Sequence, residues 1–129
     1  MSEPLFVYGS LMSGMEQGGL LSRFSRTEAT MGGRLYRMPS GSPMLVPDPD
    51  GRQIQGELVT LPHPGILQVL DLFFGVGAGR FRRVLLPAWQ SGTVHMAWAH
   101  AQDAGTVATN RYVPLTATDW RRVGAPLSR

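Results

Sequence analysis

The residues best suited to binding chemistry lie near the start of the chain, in the sequence Tyr8-Gly9-Ser10-Leu11. A short apolar run at residues 5–7 comes before them and predicts a buried strand that ends in a tight turn. Glycine permits an unusual turn there, after which exposed backbone N–H groups can hold an anion such as a carboxylate, with the Ser10 hydroxyl as a further donor. The four residues therefore predict either an anion-binding loop or an ordinary strand–turn connection.

Two carboxylates are further candidates for chemistry. Asp71 lies in a predicted helix at residues 66–74, three residues before Phe74 and on roughly the same face. Glu57 is the one charged residue of the alternating strand at residues 53–61, at a position compatible with facing the interior. The alternative interpretation is structural, in which Asp71 braces the helix end and Glu57 pairs with an arginine.

Basic residues supply the complementary candidates. Arg82 and Arg83 lie in a predicted strand at residues 81–88, so that one points to each face and one is expected to be solvated. The arginine on the opposite face could pair with an anionic ligand, and we take Arg82 as the candidate. The three histidines lack metal-ligand spacing, and Ser10 lacks the Gly-x-Ser-x-Gly frame of a serine nucleophile. We therefore expect no metal site and no serine nucleophile.

Alternating and helical patterns predict the elements that position these residues. The clearest helix, at residues 66–74, is followed by three glycines in residues 75–79 that end it. A short or broken helix is plausible at residues 15–24, and a strand pair or bent strand is predicted at residues 27–38. Turn signals at residues 48–51 and 91–92 separate further strands. The count of six or seven strands and one or two helices predicts an α+β fold, a small mixed β-barrel or curved sheet, as a single domain over residues 1–129.

Composition excludes several classes of protein. The 129 residues contain no cysteine, which excludes disulfides and thiolate catalysis. All 12 basic residues are arginines, which is typical of a GC-rich genome, and they are scattered, so that nucleic-acid binding is not expected. No apolar stretch reaches the ~20 residues that cross a bilayer. The N-terminus lacks the features of a signal peptide, and a cytoplasmic location is expected.

Five segments together resemble the gamma-glutamylcyclotransferase-like (AIG2-like) family, including its bacterial members. They are LFVYGSLM, GRLYRMPSGSPMLVP, IQGELVTL, VLDLFFGVGAGRFRRVLLP and a Thr-Asp-Trp-Arg ending at residues 118–121. The resemblance implies a small barrel with a central pocket. It implies an enzyme activity as well, the release of 5-oxoproline from gamma-glutamyl amines or dipeptides. It also implies that residues 8–11 cradle the glutamyl α-carboxylate, and that no cofactor takes part because the substrate's own amine is the nucleophile.

The sequence departs from this family at the catalytic position. The family's Leu-Asp-x-x-Glu-Gly helix ending is Leu-Asp-Leu-Phe-Phe-Gly here, so that Phe74 stands where the resemblance puts the catalytic glutamate. Phe81 likewise stands where the family often has tyrosine. The leading hypothesis is a protein without ordinary cyclotransferase activity that binds a small anionic or gamma-glutamyl-like ligand, or a protein partner. The ligand site would comprise Tyr8, Gly9, Ser10, Leu11, Phe74 and Arg82. The alternative is an active enzyme in which Glu57 or Asp71 moves the proton.

Overall fold

A computed structural model of the chain describes residues 3–123, in which seven strands form one sheet. The strands are β1 (Leu5–Val7), β2 (Arg26–Arg37), β3 (Pro43–Pro47), β4 (Arg52–Val59), β5 (Arg82–Gln90), β6 (Thr93–Ala101) and β7 (Val113–Pro114). The α-helices are α1 (Gly65–Phe73) and α2 (Ala104–Thr109), and single 3₁₀ turns occur at Gly18–Leu21, Val76–Ala78 and Trp120–Arg122. None of the helices within residues 3–123 has the length and apolarity that crossing a bilayer requires.

Five of the strands close into a mixed barrel. β4 pairs antiparallel with β1 and β2, and β2 pairs antiparallel with β3. β6 closes the ring because it pairs in parallel with both β3 and β1. β5 and β7 lie outside this ring, β5 against β6 and β2, and β7 against the end of β2. The α+β mixed barrel that the sequence predicted is confirmed.

The barrel interior combines bulky side chains with small ones. Alternate residues of β6 that face inward are alanines, which leave room for large side chains from the other strands. Those large side chains include Phe6, Met31, Leu35, Leu45, Ile54 and Leu58. The period-2 pattern of the sequence thus sets which face of each strand is inside.

A second apolar cluster attaches α1 to the outside of the barrel. Leu67 and Leu70 of α1 pack with residues of β1 and the end of β4. The helix ends where the glycines predicted it, because Gly75 adopts a left-handed conformation with φ 66°. This ending fixes the last turn of α1, with Asp71 and Phe74, beside the end of β1.

One helix was missed, and two open predictions are resolved. Of the strand pair or bent strand predicted at residues 27–38, the structure has one 12-residue strand, β2 (Arg26–Arg37), and the short or broken helix predicted at residues 15–24 is a single 3₁₀ turn, Gly18–Leu21. Helix α2 was not predicted, because its glycine, threonines and valine have low helix propensity. It is stabilised instead by its cap, in which the Asp103 side chain accepts from the Thr106 N–H, and by burial of Val107.

Because β1 and β4 pack closely at Gly56, a side chain at this position should destabilise the fold. A Cβ atom there would lie 2.3 Å from the carbonyl oxygen of Val7 and 2.7 Å from Cζ of Phe6. We expect Gly56→Ala to lower the free energy of unfolding by about 1–3 kcal/mol, because strand backbone cannot easily move aside. Denaturant unfolding measures this. The control is Gly77→Ala, where nothing lies within 4 Å and the change should stay within about 0.5 kcal/mol. Equal stability of the two variants would contradict this account of β1–β4 packing.

Candidate functional site

A cavity of 530 Å³ lies where the end of β1, the β2–β3 connection, the end of α1 and the segment before β5 meet. Aromatic side chains form much of its wall, namely Phe6, Tyr8, Phe73, Phe74, Phe81 and Tyr112. Serines from two connections and the side chain of Arg80 supply polar groups. A cavity of this size and composition is typical of a site for a small organic molecule.

The predicted loop, Tyr8 to Leu11, lines this cavity over its whole length. Gly9 is not in the left-handed region, so its role is not the unusual turn that the sequence suggested. It is instead required for space, since a Cβ atom there would lie 2.8 Å from Cγ of Pro43. Met12 donates its N–H to the carbonyl of Gly9 and closes the turn. Within residues 3–123, the N–H groups of Ser10 and Leu11 have no protein acceptor and remain available beside the cavity.

The Tyr8 hydroxyl has a structural role. It donates to the carbonyl oxygen of His100 at 2.5 Å and accepts from the N–H of Leu45 at 3.0 Å. Burial raises the pKa of this hydroxyl above its ordinary range, so it stays protonated. Tyr8 therefore joins β1 to β6 and β3 and holds the loop that follows it.

Phe74 is the centre of an aromatic cluster at the cavity wall. Its ring meets those of Phe73 and Phe81 edge to face, with centroids 5.1 and 5.0 Å away. It also stacks on the His100 imidazole, with centroids 4.2 Å apart and an interplanar angle of 18°. Both Phe74 and His100 line the cavity.

The His100 imidazole is oriented by Asp71, which is in turn paired with Arg83. Its Nε2 lies 2.9 Å from Oδ1 of Asp71, and the Arg83 Nε donates to both oxygens of the same carboxylate at 2.9 and 3.0 Å. The Arg83 guanidinium in turn lies over the ring of Trp98. Asp71 is not part of the cavity wall and reaches the cavity only through His100.

Burial sets the protonation state of His100. It lowers the pKa of the imidazole, and although the Asp71 carboxylate acts in the opposite direction, the net pKa lies below the ordinary value of 6.5. Because a carboxylate only accepts hydrogen bonds, a neutral imidazole donates from Nε2 to Asp71. Its Nδ1 is then an acceptor.

Glu57, the other candidate carboxylate, lies away from the cavity. It points to the face of β4 opposite Ile54 and Leu58, which fill the barrel, so the idea that it faces the interior is wrong. Glu57 Oε1 accepts from Arg26 at 2.9 Å and from the N–H of Ser13 at 2.9 Å. Burial raises the pKa of Glu57, but the hydrogen bonds from Ser13 and Arg26 outweigh it and the net pKa is lowered.

Arg82 also lies away from the cavity. Its side chain is 60% exposed and pairs with Asp103 at 3.3 Å, while the arginine that lines the cavity is Arg80. Strand parity could not have identified Arg80, because it precedes β5 in an irregular, glycine-rich segment. His100 was also missed as a site residue, although the hairpin turn at residues 91–92 sets the register that puts it opposite Arg83.

Acidic side chains are absent from this cavity wall as far as residues 3–123 describe it. In the same part of the chain, no three His, Asp or Glu side chains come together as potential metal ligands. The wall thus offers hydrogen-bond donors, one guanidinium, aromatic rings and a neutral imidazole.

Comparison with known proteins agrees with this architecture. The family described as "Gamma-glutamyl cyclotransferase, AIG2-like" matches residues 5–122. No curated protein matches the sequence. Among solved structures, YkqA from Bacillus subtilis is similar with a TM-score of 0.72 and 19% identity over 95% of this chain, which spans 40% of the length of YkqA.

Two further structures have lengths close to that of this chain. An AIG2-like protein from Mus musculus is similar with a TM-score of 0.72 and 19% identity, covering 90% of this chain and 86% of its own. The protein PH0828 from Pyrococcus horikoshii has a TM-score of 0.66 and 16% identity, covering 95% of this chain and 92% of its own. At identities this low, the structural similarity establishes a common fold.

The position of Glu57 makes a prediction about stability and pH. Because its pKa in the folded state lies below the ordinary 4.5, the ion pair stabilises the fold above that pH, and this contribution is lost as the pH falls through the folded value. We expect Glu57→Gln to cost about 3–5 kcal/mol at pH 7, because Arg26 is left buried without its charge partner. The variant should also lose less additional stability on acidification.

Denaturant unfolding between pH 7 and pH 3 measures both effects. Glu28→Gln is the matched control, because Glu28 also pairs with an arginine, Arg121, but its side chain is 65% exposed. Its effect should remain within about 1 kcal/mol. A Glu57→Gln protein as stable as the Glu28→Gln protein would contradict the structural role of Glu57.

Proposed function

The chain belongs to the gamma-glutamyl cyclotransferase, AIG2-like family, and on this basis we propose that it binds a small carboxylate ligand in this cavity without ordinary cyclotransferase activity. The single observation that carries the proposal is the lack of a carboxylate on the cavity wall among the described residues. The reaction of the family needs such a group, and the binding of a ligand does not.

The proton requirement explains why the carboxylate matters. Formation of 5-oxoproline requires the α-ammonium of the substrate to lose a proton before the amine attacks, and the leaving amine must gain one. One well-placed carboxylate can do both, and such general acid–base catalysis contributes ~10²–10⁴-fold to a rate. The resemblance puts Phe74 at the position of that carboxylate, and a phenyl ring can neither accept nor donate a proton.

Binding is supported by the groups that remain. The N–H groups of Ser10 and Leu11 and the Ser10 hydroxyl are donors at one part of the wall, and donors of this kind suit a carboxylate. Arg80 adds a positive charge to the same cavity. These groups are the ones that an anionic ligand needs, whether or not it is converted.

The proposal predicts the outcome of an activity assay at position 74. With gamma-glutamyl amines and dipeptides as substrates, the wild-type protein should release no measurable 5-oxoproline. Phe74→Glu should create turnover, because it supplies a carboxylate beside the bound substrate, with a gain within the ~10²–10⁴-fold range of acid–base catalysis. Chromatographic detection of 5-oxoproline measures both.

Phe73→Glu is the control, because it adds the same charge to the neighbouring wall residue, which is 48% exposed. It should remain inactive. Thermal unfolding of each variant shows whether it is folded. A folded Phe74→Glu protein without turnover would contradict the assignment of the missing proton-transfer group to position 74, and wild-type turnover would contradict the proposal as a whole.

One observation favours a second candidate function, an active cyclotransferase in which Asp71 acts through His100. The hydrogen bond from Nε2 of His100 to Asp71 leaves Nδ1 as an acceptor on a residue that lines the cavity. A neutral imidazole in this state can take a proton from an ammonium and return it to a leaving amine. No comparable observation favours Glu57, which is enclosed by Arg26 and Ser13.

The second candidate predicts wild-type turnover that depends on this pair. His100→Gln should remove the turnover, because an amide cannot take up the proton, and Asp71→Asn should reduce it strongly. The wild-type rate should rise with pH and level off by about pH 6.5, because burial lowers the pKa of His100 below that value. Turnover that survives His100→Gln, or that has no acidic limb, would contradict it. The pH dependence of kcat/KM measures this, with Glu28→Gln as the control, because the Glu28 side chain is 65% exposed and its loss leaves the protein folded.

A further inference from the structure

We infer that the ligand of this cavity is an apolar monocarboxylate, with an aromatic ring or a comparable hydrocarbon group, and without the ammonium group of a gamma-glutamyl compound. The inference rests on the proposed binding function and specifies the chemical class of the ligand. Three features of the cavity lead to it, namely its aromatic wall, its unpaired cation and its lack of a partner for a positive charge.

The aromatic wall is continuous around Phe74. Phe73 and Phe81 meet the Phe74 ring edge to face, and the His100 ring stacks on it. Met38 and Pro43 extend the apolar wall across the β2–β3 connection. A further ring associates with aromatic side chains of this kind edge to face or offset-stacked, which are the preferred geometries of aromatic association. A hydrocarbon group of the ligand is expected here.

Arg80 is the one arginine among the described lining residues of the cavity, and it is exposed to solvent there. No carboxylate lies within 4.0 Å of its guanidinium among the described residues, whereas the neighbouring Arg82 and Arg83 pair with Asp103 and Asp71. Its stem lies across Gly75, where a Cβ atom would be 2.9 Å from Cδ of Arg80. An unpaired guanidinium beside an apolar wall is complementary to a carboxylate, which it can bind through two parallel hydrogen bonds.

A ligand ammonium group would find no charged partner in this cavity. The described wall has no acidic side chain, and the acceptors that it does offer, the serine hydroxyls and His100, are neutral. Removal of an ammonium from water without an ion partner is costly. A gamma-glutamyl compound, whose α-carbon carries both carboxylate and ammonium, therefore fits less well than a simple carboxylate.

Isothermal titration calorimetry of the full chain at pH 7 tests this with matched ligands. The reference is 3-phenylpropionate. Phenylalanine adds only the ammonium, 3-phenylpropanol replaces only the carboxylate, and glutarate has a carboxymethyl group, which carries a second carboxylate, in place of the ring. We expect 3-phenylpropionate to bind roughly 10- to 100-fold more tightly than each of the three, the change that one charge-assisted contact commonly makes.

Arginine variants identify the group that binds the carboxylate. Arg80→Gln should weaken 3-phenylpropionate roughly 10-fold or more and leave the weak binding of 3-phenylpropanol unchanged. Arg82→Gln is the matched control, because this arginine is two residues away but outside the cavity, and it should bind like the wild type. Thermal unfolding shows whether both variants are folded.

The possible failures are distinguishable. Binding of glutarate or gamma-glutamylphenylalanine as tightly as 3-phenylpropionate would overturn the ligand class and leave the proposed binding function in place. Binding of 3-phenylpropionate that is insensitive to Arg80→Gln would overturn the role of Arg80, and with it the inference. Failure of all the carboxylates to bind, gamma-glutamyl compounds included, would contradict the proposed function itself.

Discussion

The Tyr8 hydroxyl makes the contact on which the rest of the site depends. The hydroxyl is buried, donates to the carbonyl of His100 and accepts from the N–H of Leu45. Three strands of the barrel therefore meet at one oxygen. β1 is only three residues long and could not by itself hold the loop that follows it. Because a buried hydroxyl or backbone group without a partner is costly, the three strands keep this arrangement. The position of the loop and the position of His100 are therefore set together.

A second chain of contacts begins at His100 and passes outward. The imidazole donates to Asp71, Asp71 accepts from Arg83, and Arg83 lies over Trp98. Each group fixes the next, so the imidazole has one orientation and presents a flat, neutral face to Phe74, which stacks on it. An aromatic ring is thus accommodated at this position by a partner that is itself well anchored, which explains how an apolar side chain packs at the end of α1.

The barrel could be predicted because its strands alternate and its turns contain glycine, proline and aspartate, which are local signals. The loop at Tyr8 could be found for the same reason, as it follows an apolar strand directly. The site was harder, because it combines distant segments. Arg80 lines the cavity and Arg82 does not. Arg80 lies in the irregular, glycine-rich stretch before β5, where no periodicity predicts which way a side chain points. Glu57 was difficult because both faces of β4 are buried from residue 56 to residue 59, so alternation in that part of the strand could not say which face was the barrel interior.

The distribution of charge connects the fold to its function. Carboxylates near the barrel are already engaged by arginines, Glu57 by Arg26, Asp71 by Arg83 and Asp119 by Arg121. Recruitment of one of them as a catalytic base would leave its arginine without its partner, and for the buried pair of Glu57 and Arg26 this is strongly destabilising. Arg80 makes no such pair among the described residues, and it lies at an aromatic wall. The same pairing that stabilises the barrel therefore leaves a cavity whose described wall has aromatic rings and Arg80 but no acidic side chain.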